Sequence, residues 1–200
     1  MKIRLFIIFL FFISFPSFSN SQSTIEIKGG LTYMTNKDDY SSHRGFNIGI
    51  TYYPIKLYKF NIGAGIGYNG KGKMKNYLPY GTFEKPSDSP VEFLELSLPV
   101  KTSFELVKGF ETYVLLGGRY DVILTTIKRF IGEPITDGYS TFNSTLGITA
   151  GLGIQLTKLY PNLILEFSVN PDLTYLLKNK IKNNSIELKV GIGFDGFRSN

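Results

Sequence analysis

Apolar residues alternate with polar or glycine residues, two by two, in eight segments of this chain. In one, Leu146, Ile148, Ala150, Leu152, Ile154 and Leu156 interleave with Thr145, Gly147, Thr149, Gly151, Gly153 and Gln155. Successive side chains of a strand point to opposite faces, so a period of two predicts a strand with one apolar and one small or polar face. The same reading gives strands at 24–34, 44–53, 58–70, 91–106, 110–125, 145–156, 162–173 and 185–194. The apolar faces carry Ile25, Ile27, Leu31, Phe46, Ile48, Ile50, Leu94, Leu96, Leu98, Val114, Leu116, Leu163, Leu165, Phe167, Leu188, Val190 and Ile192. None of the positions given to that face is Asp, Glu, Lys or Arg. The opposite faces carry Glu26, Lys28, Glu95, Lys101, Glu105, Arg119, Asp121, Glu166, Glu187 and Lys189.

Charges confined to one face must be paired or hydrated wherever that face is enclosed. An arginine or lysine facing lipid near the bilayer midplane costs about 2–4 kcal/mol, which accounts for their exclusion from the other face. The pattern therefore predicts an all-β, eight-stranded antiparallel up-and-down transmembrane β-barrel. Glycines between the enclosed charges leave room for their long side chains.

The connectors agree. Pro54–Leu57, Val107–Gly109 and Thr157–Pro161 are short, whereas Asn36–His43, Lys71–Pro90, Thr126–Asn143 and Lys178–Asn184 are longer. Short turns at one end and long loops at the other are the mark of such barrels, and an even strand number brings both termini to the turn end. Aromatics such as Tyr33, Phe46, Tyr52, Tyr58, Tyr68, Phe104 and Phe194 fall near strand ends, where interfacial girdles lie.

Residues 1–21 read as a secretory signal peptide, with Lys2 and Arg4 before the apolar run Leu5–Phe12 and small residues at Ser19-Asn20-Ser21. Residues 22–200 are then one barrel domain. Hydrophobic content is 42% and mean hydropathy is +0.00. No later stretch is apolar for long enough to span a bilayer as a helix, whereas a barrel exposes only every second strand residue to lipid. With no cysteine there is no disulfide framework or thiolate metal site. The net charge of +6 partly reflects the signal and loop lysines such as Lys71, Lys73, Lys75, Lys178, Lys180 and Lys182. Lacking a helix to array them, these lysines do not describe a nucleic-acid site. Solvated loops touching anionic lipopolysaccharide are the simpler reading.

The segment Phe93-Leu94-Glu95-Leu96-Ser97-Leu98-Pro99-Val100-Lys101, followed by Tyr113-Val114-Leu115-Leu116-Gly117-Gly118, resembles the small outer-membrane β-barrel domain of PorT-like and porin-family proteins. Gly63–Lys71 is similar to that family's third strand. Ser97 stands where the family pattern has proline and Pro99 follows two residues later, which makes this a candidate bulge. Lys189–Phe194 is similar to the last-strand signal read by the barrel-assembly machinery. The resemblance implies residence in the bacterial outer membrane and, as in PorT itself, a link to protein secretion through an extracellular or secretion-system partner.

Other constellations weigh less. Gly65–Gly70 fits G-x-G-x-x-G, but a phosphate cradle needs a following helix, and a strand glycine pattern explains the match. His43, the single histidine, stands near Asp38, Asp39, Ser41 and Ser42, and a hydrolase triad would require it oriented at the barrel rim. A solvated polar loop is the reading adopted there. Glu95, Lys101 and Glu105, with Arg119 and Asp121, either line a pore or plug a closed lumen, and eight strands enclose little more than side-chain volume. No catalytic, metal or cofactor-binding residue is predicted and no cofactor is expected. The expectation is a non-enzymatic barrel with a closed polar lumen and long loops in a structural or surface-interaction role. A small porin for polar solutes, or a secreted lipocalin-like barrel with its apolar face turned inward, are the alternatives.

Overall fold

A computed structural model describes residues 23–35, 44–73, 90–124, 144–175, 182 and 184–195. They form strands β1 (Thr24–Met34), β2 (Arg44–Leu57), β3 (Phe60–Lys73), β4 (Pro90–Val107), β5 (Phe110–Ile123), β6 (Thr145–Leu156), β7 (Asn162–Asn170) and β8 (Ser185–Asp195). Each pairs antiparallel with its neighbours in sequence, and β1 pairs with β8 from Thr24 opposite Asp195 to Met34 opposite Ser185, closing the barrel. Closure leaves no unpaired sheet edge, the condition for strands to cross a bilayer.

The predicted inside-out arrangement is the one adopted. Along β7 buried and exposed residues alternate without exception, with Asn162, Ile164, Glu166, Ser168 and Asn170 inward and Leu163, Leu165, Phe167 and Val169 outward. Leu116 and Leu152, on adjacent strands, are 59% and 60% exposed, whereas Glu26, Asp121 and Ser168 are 0% exposed. A lipocalin-like barrel, with these aliphatics around a central cavity, is the reverse of this. The inward face also holds a few apolar side chains: Tyr53, Phe93, Tyr113, Leu115, Ile123 and Ile164.

Short turns join β2 to β3, β4 to β5 and β6 to β7 at one end, shared with Thr24 and Asp195. The longer connectors leave from the other. In the β4–β5 turn Gly109 takes φ of +83°, a region glycine enters without strain. Its amide donates to Glu105 Oε1 at 3.2 Å.

Several boundaries differ from the sequence reading. Pro54–Leu57 is strand, not connector: β2 runs to Leu57 with a bulge between Tyr52 and Ile55, and the turn is Tyr58-Lys59. The bulge takes up the extra residues, which period-two counting cannot see. β3 accordingly starts at Phe60 and continues to Lys73, so Lys71 is a lumen residue rather than a loop lysine. No bulge occurs at Pro99, because the β4–β5 register passes from Phe93 opposite Ile123 through Pro99 opposite Gly117 without a shift. The strand predicted to end at Leu173 ends at Asn170, and the one predicted to reach Thr125 ends at Ile123. The proposed signal peptide, the His43 cluster and most of each long loop lie outside the described residues.

Candidate functional site

The chemistry of this molecule is enclosed in its lumen. Most lumen charges face a glycine on the neighbouring strand: Lys28 faces Gly49 and Gly191, Lys189 faces Gly30, Glu26 faces Gly193, Glu166 faces Gly153, Glu95 faces Gly67 and Arg119 faces Gly147. A Cβ at Gly191 would meet Lys28 Cγ at 2.5 Å, and one at Gly147 would meet Arg119 Nη2 at 2.9 Å. The glycine interleaving that writes the strand pattern is therefore the negative of the charge pattern.

These side chains join into a ladder of alternating sign along the barrel. From the turn end, Lys101 Nζ lies 2.5 Å from Glu26 Oε1, and Lys28 Nζ lies 3.0 Å from Glu26 Oε2 and 2.6 Å from Glu166 Oε2. Lys189 Nζ is 3.7 Å from Glu166 Oε1 and 2.6 Å from Glu187 Oε2. Asn69 Nδ2 then donates to Glu187 Oε1 at 2.6 Å and to Glu95 Oε2 at 3.3 Å, while Thr32 donates to Asn69 Oδ1 and Asn47 Nδ2 donates to Thr32. A second cluster fills the loop end, where Lys71 meets Asp121 at 2.8 Å and Arg119 lies 3.3 Å from Asp121 and 2.5 Å from Asp172. Asp172 is held there because 171–174 fold back on β6, with Leu173 and Thr174 amides donating to the Leu146 carbonyl.

Buried ions are tolerated only when partnered, and each cation here has at least one carboxylate within 4 Å. Such a mesh of crossed pairs fills space between strands and opposes a wide pore.

Of the two clusters predicted from sequence, the structure brings Arg119 and Asp121 together and places Glu95 and Lys101 in the lumen at different heights. Glu105 does not join them. It keeps the continuous β4–β5 register, opposite Glu111, but stands nearer the turn than the buried Lys101, in the exposed end of the hairpin past the enclosed part of the lumen. Asp172 and Lys71 were not named as lumen residues: Asp172 reaches the lumen from beyond the end of β7, through the fold-back of 171–174, and the strand of Lys71 runs longer than its hydrophobic signal. Gly65–Gly70 lies wholly within β3, which continues as strand to Lys73, and Gly65 and Gly67 face Ser97 and Glu95.

The turn end of the lumen is closed by aromatic rings. Lys101 Nζ lies 4.0 Å from the Tyr113 ring centroid and 5.9 Å from that of Tyr53, and donates to Gln155 Oε1 at 2.8 Å. Tyr113 donates its hydroxyl to Glu166 Oε2 at 2.9 Å. Both rings fill space that glycine leaves: a Cβ at Gly153 would lie 2.2 Å from Tyr113 Cζ, and one at Gly63 would lie 2.7 Å from Tyr53 Cδ1.

Fold and lumen together define an eight-stranded up-and-down transmembrane β-barrel with a charge-paired interior. Comparison with solved structures finds that architecture. Neisserial surface protein A superposes with a TM-score of 0.56 at 13% identity, covering 86% of this chain and 95% of that one. Ail, the attachment invasion locus protein of Yersinia pestis, matches with a TM-score of 0.46 at 19% identity over 88% of this chain and 100% of that one in its complex with the heparin analogue sucrose octasulfate. Without that ligand it matches with a TM-score of 0.42 at 18% identity, again over 88% and 100%. No protein-family model and no curated protein matches the chain.

Proposed function

We propose that this chain is a non-enzymatic protein of the bacterial outer membrane whose barrel anchors and displays its long connectors in a structural or surface-interaction role. The observation that carries the reading is the division of side chains, with aliphatics and aromatics outward around the barrel and ionised groups inward. Lipid hydrocarbon is the solvent that stabilises such a surface. Residues 1–21 serve as the export signal, the β8 stretch Lys189–Phe194 addresses the assembly machinery, and lipid and lipopolysaccharide surround the inserted barrel. The narrower form of the reading, drawn from the PorT-like resemblance, is that an extracellular or secretion-system protein docks on the loops. The charge-paired interior favours this over a small porin.

Expression of the full chain in a Gram-negative host tests the reading. The protein is expected in the outer-membrane fraction, extractable only with detergent and migrating faster on gels before heating than after. Recovery as a freely soluble protein overturns the reading. A pull-down from intact cells, with and without residues 74–89, tests the display role. A partner retained equally by both forms argues against docking on that loop.

A further inference from the structure

Between the two ends the lumen is not solid. A cavity of about 60 Å³ runs along the inner face of β2–β5, past Gly49, Thr51, Gly67, Ser97 and Gly117, with Lys28, Glu166 and Lys189 on its far side. At roughly 15 Å³ per water centre this is room for about four water molecules. Three buried oxygens that line it have no hydrogen-bond partner in the protein: the Tyr53 hydroxyl, Asn47 Oδ1 and Thr149 Oγ1, on residues 3%, 5% and 8% exposed. Buried polar groups of this kind are satisfied by water or by an ion. Carboxylates of Glu95, Glu166 and Glu187 line the space against the ammonium groups of Lys28 and Lys189. Glu95 forms no ion pair among the described residues; an Asn69 amide is its hydrogen-bond donor. Three lining carboxylates against two ammonium groups leave the space with an excess of negative charge, which favours entry of cations over anions.

We propose that this cavity is a hydrated, cation-admitting chamber, and that the Tyr53–Tyr113–Lys101 layer is a removable seal at its turn end. The inference rests on the barrel reading above. The seal consists of side chains only. Of the three, Tyr53 lines the chamber itself, while Tyr113, which donates its hydroxyl to the lining Glu166, and Lys101 stand next to it on the turn side. The rings occupy slots over Gly63 and Gly153 and share one ammonium group, so rotation of Tyr113 would open the turn side of the chamber without disturbing the strand ladder. The wall beneath, by contrast, is continuous backbone pairing.

The chain contains no cysteine, so Thr149→Cys places a single thiol on the chamber wall. The purified full chain in detergent micelles is labelled with a small trimethylammonium methanethiosulfonate and, separately, with its sulfonate counterpart. Adding Tyr113→Ala is expected to raise the rate for the cationic reagent at least tenfold. The cationic reagent is expected to outpace the anionic one severalfold, and Glu95→Gln to reduce that preference. Heat-dependent gel migration confirms that each variant is folded, and Tyr113→Leu and Lys101→Met replace Tyr113→Ala if it is not. Folded seal variants that label no faster than Thr149→Cys alone overturn the seal, and equal rates for the two reagents overturn the cation preference. Planar-bilayer recordings keep this distinct from the underlying reading, because a large, stable conductance of the unmodified protein sinks the closed lumen itself.

Discussion

The side chain of Tyr113 occupies the volume that a side chain at its cross-strand partner Gly153 would need, with Cζ 2.2 Å from where that Cβ would lie. One residue's absence of a side chain is thus the other's binding slot. Gly153→Val is expected to lower stability by about 1–3 kcal/mol through overpacking, and Tyr113→Ala by about 3–5 kcal/mol through the void it leaves. The double variant should cost at least 1 kcal/mol less than the sum, on the order of coupling between contacting residues. Urea unfolding of barrels reconstituted in vesicles measures all three. Strict additivity would show that the two residues do not share the slot.

Lys101 reaches across the barrel to Glu26 and Gln155 and binds two tyrosine faces. Lys101→Met keeps most of the volume and removes the charge, leaving Glu26 with Lys28 alone. Removal of one member of a buried ion pair costs about 3–5 kcal/mol, whereas removal of both is often close to neutral. Lys101→Met is therefore expected to destabilise strongly, and Lys101→Met/Glu26→Gln to recover most of the loss in the same urea titration.

The outer face makes a depth-dependent prediction. Leu116 lies midway along β5 and Leu106 lies next to the β4–β5 turn, and both are well exposed. Arginine at a lipid-facing midplane position costs about 2–4 kcal/mol and near the interface about 0–1 kcal/mol. Leu116→Arg should accordingly reduce folding into vesicles far more than Leu106→Arg. Equal effects would count against a bilayer around this band.

Two glycines with the same composition signal should respond oppositely. A Cβ at Gly30 would lie 1.9 Å from the Leu188 carbonyl oxygen and 2.7 Å from Lys189 Cα, across the seam where β1 and β8 close the barrel. Backbone cannot yield there as a flexible side chain can. At Gly118 a Cβ would meet nothing within 4 Å. Gly30→Ala should abolish the heat-modifiable folded form on gels, while Gly118→Ala should leave it intact and change stability by less than about 0.5 kcal/mol, as for an ordinary surface substitution.

The strand phases were legible because lipid and lumen impose opposite demands on odd and even positions. Leu163, Glu166 and Phe167 could be assigned to a face from spacing alone. Strand ends were less legible, since bulges and turns obey backbone geometry rather than side-chain polarity. Pro54–Leu57 looked like a connector because Pro54 and Lys56 break the apolar run, yet the bulge after Tyr52 lets the ladder continue to Leu57. Glu105 kept both the lumen phase and the strand register, but it stands nearer the turn than the buried Lys101, where the hairpin projects past the enclosed interior, and so it joins no lumen pair. The seal was not legible either, since Tyr113, Tyr53 and Lys101 belong to three different strands.

By itself the chain determined the barrel of eight strands, and which side chains face outward, because a period of two is a local property that each strand states independently. Only closure of the sheet decided which charges meet. Lys28 finds Glu166, 138 residues away, and Lys101 finds Glu26, 75 residues away. Those pairings depend on strand order and register around a ring, which place residues from distant strands within bonding distance across a narrow interior that excludes bulk water.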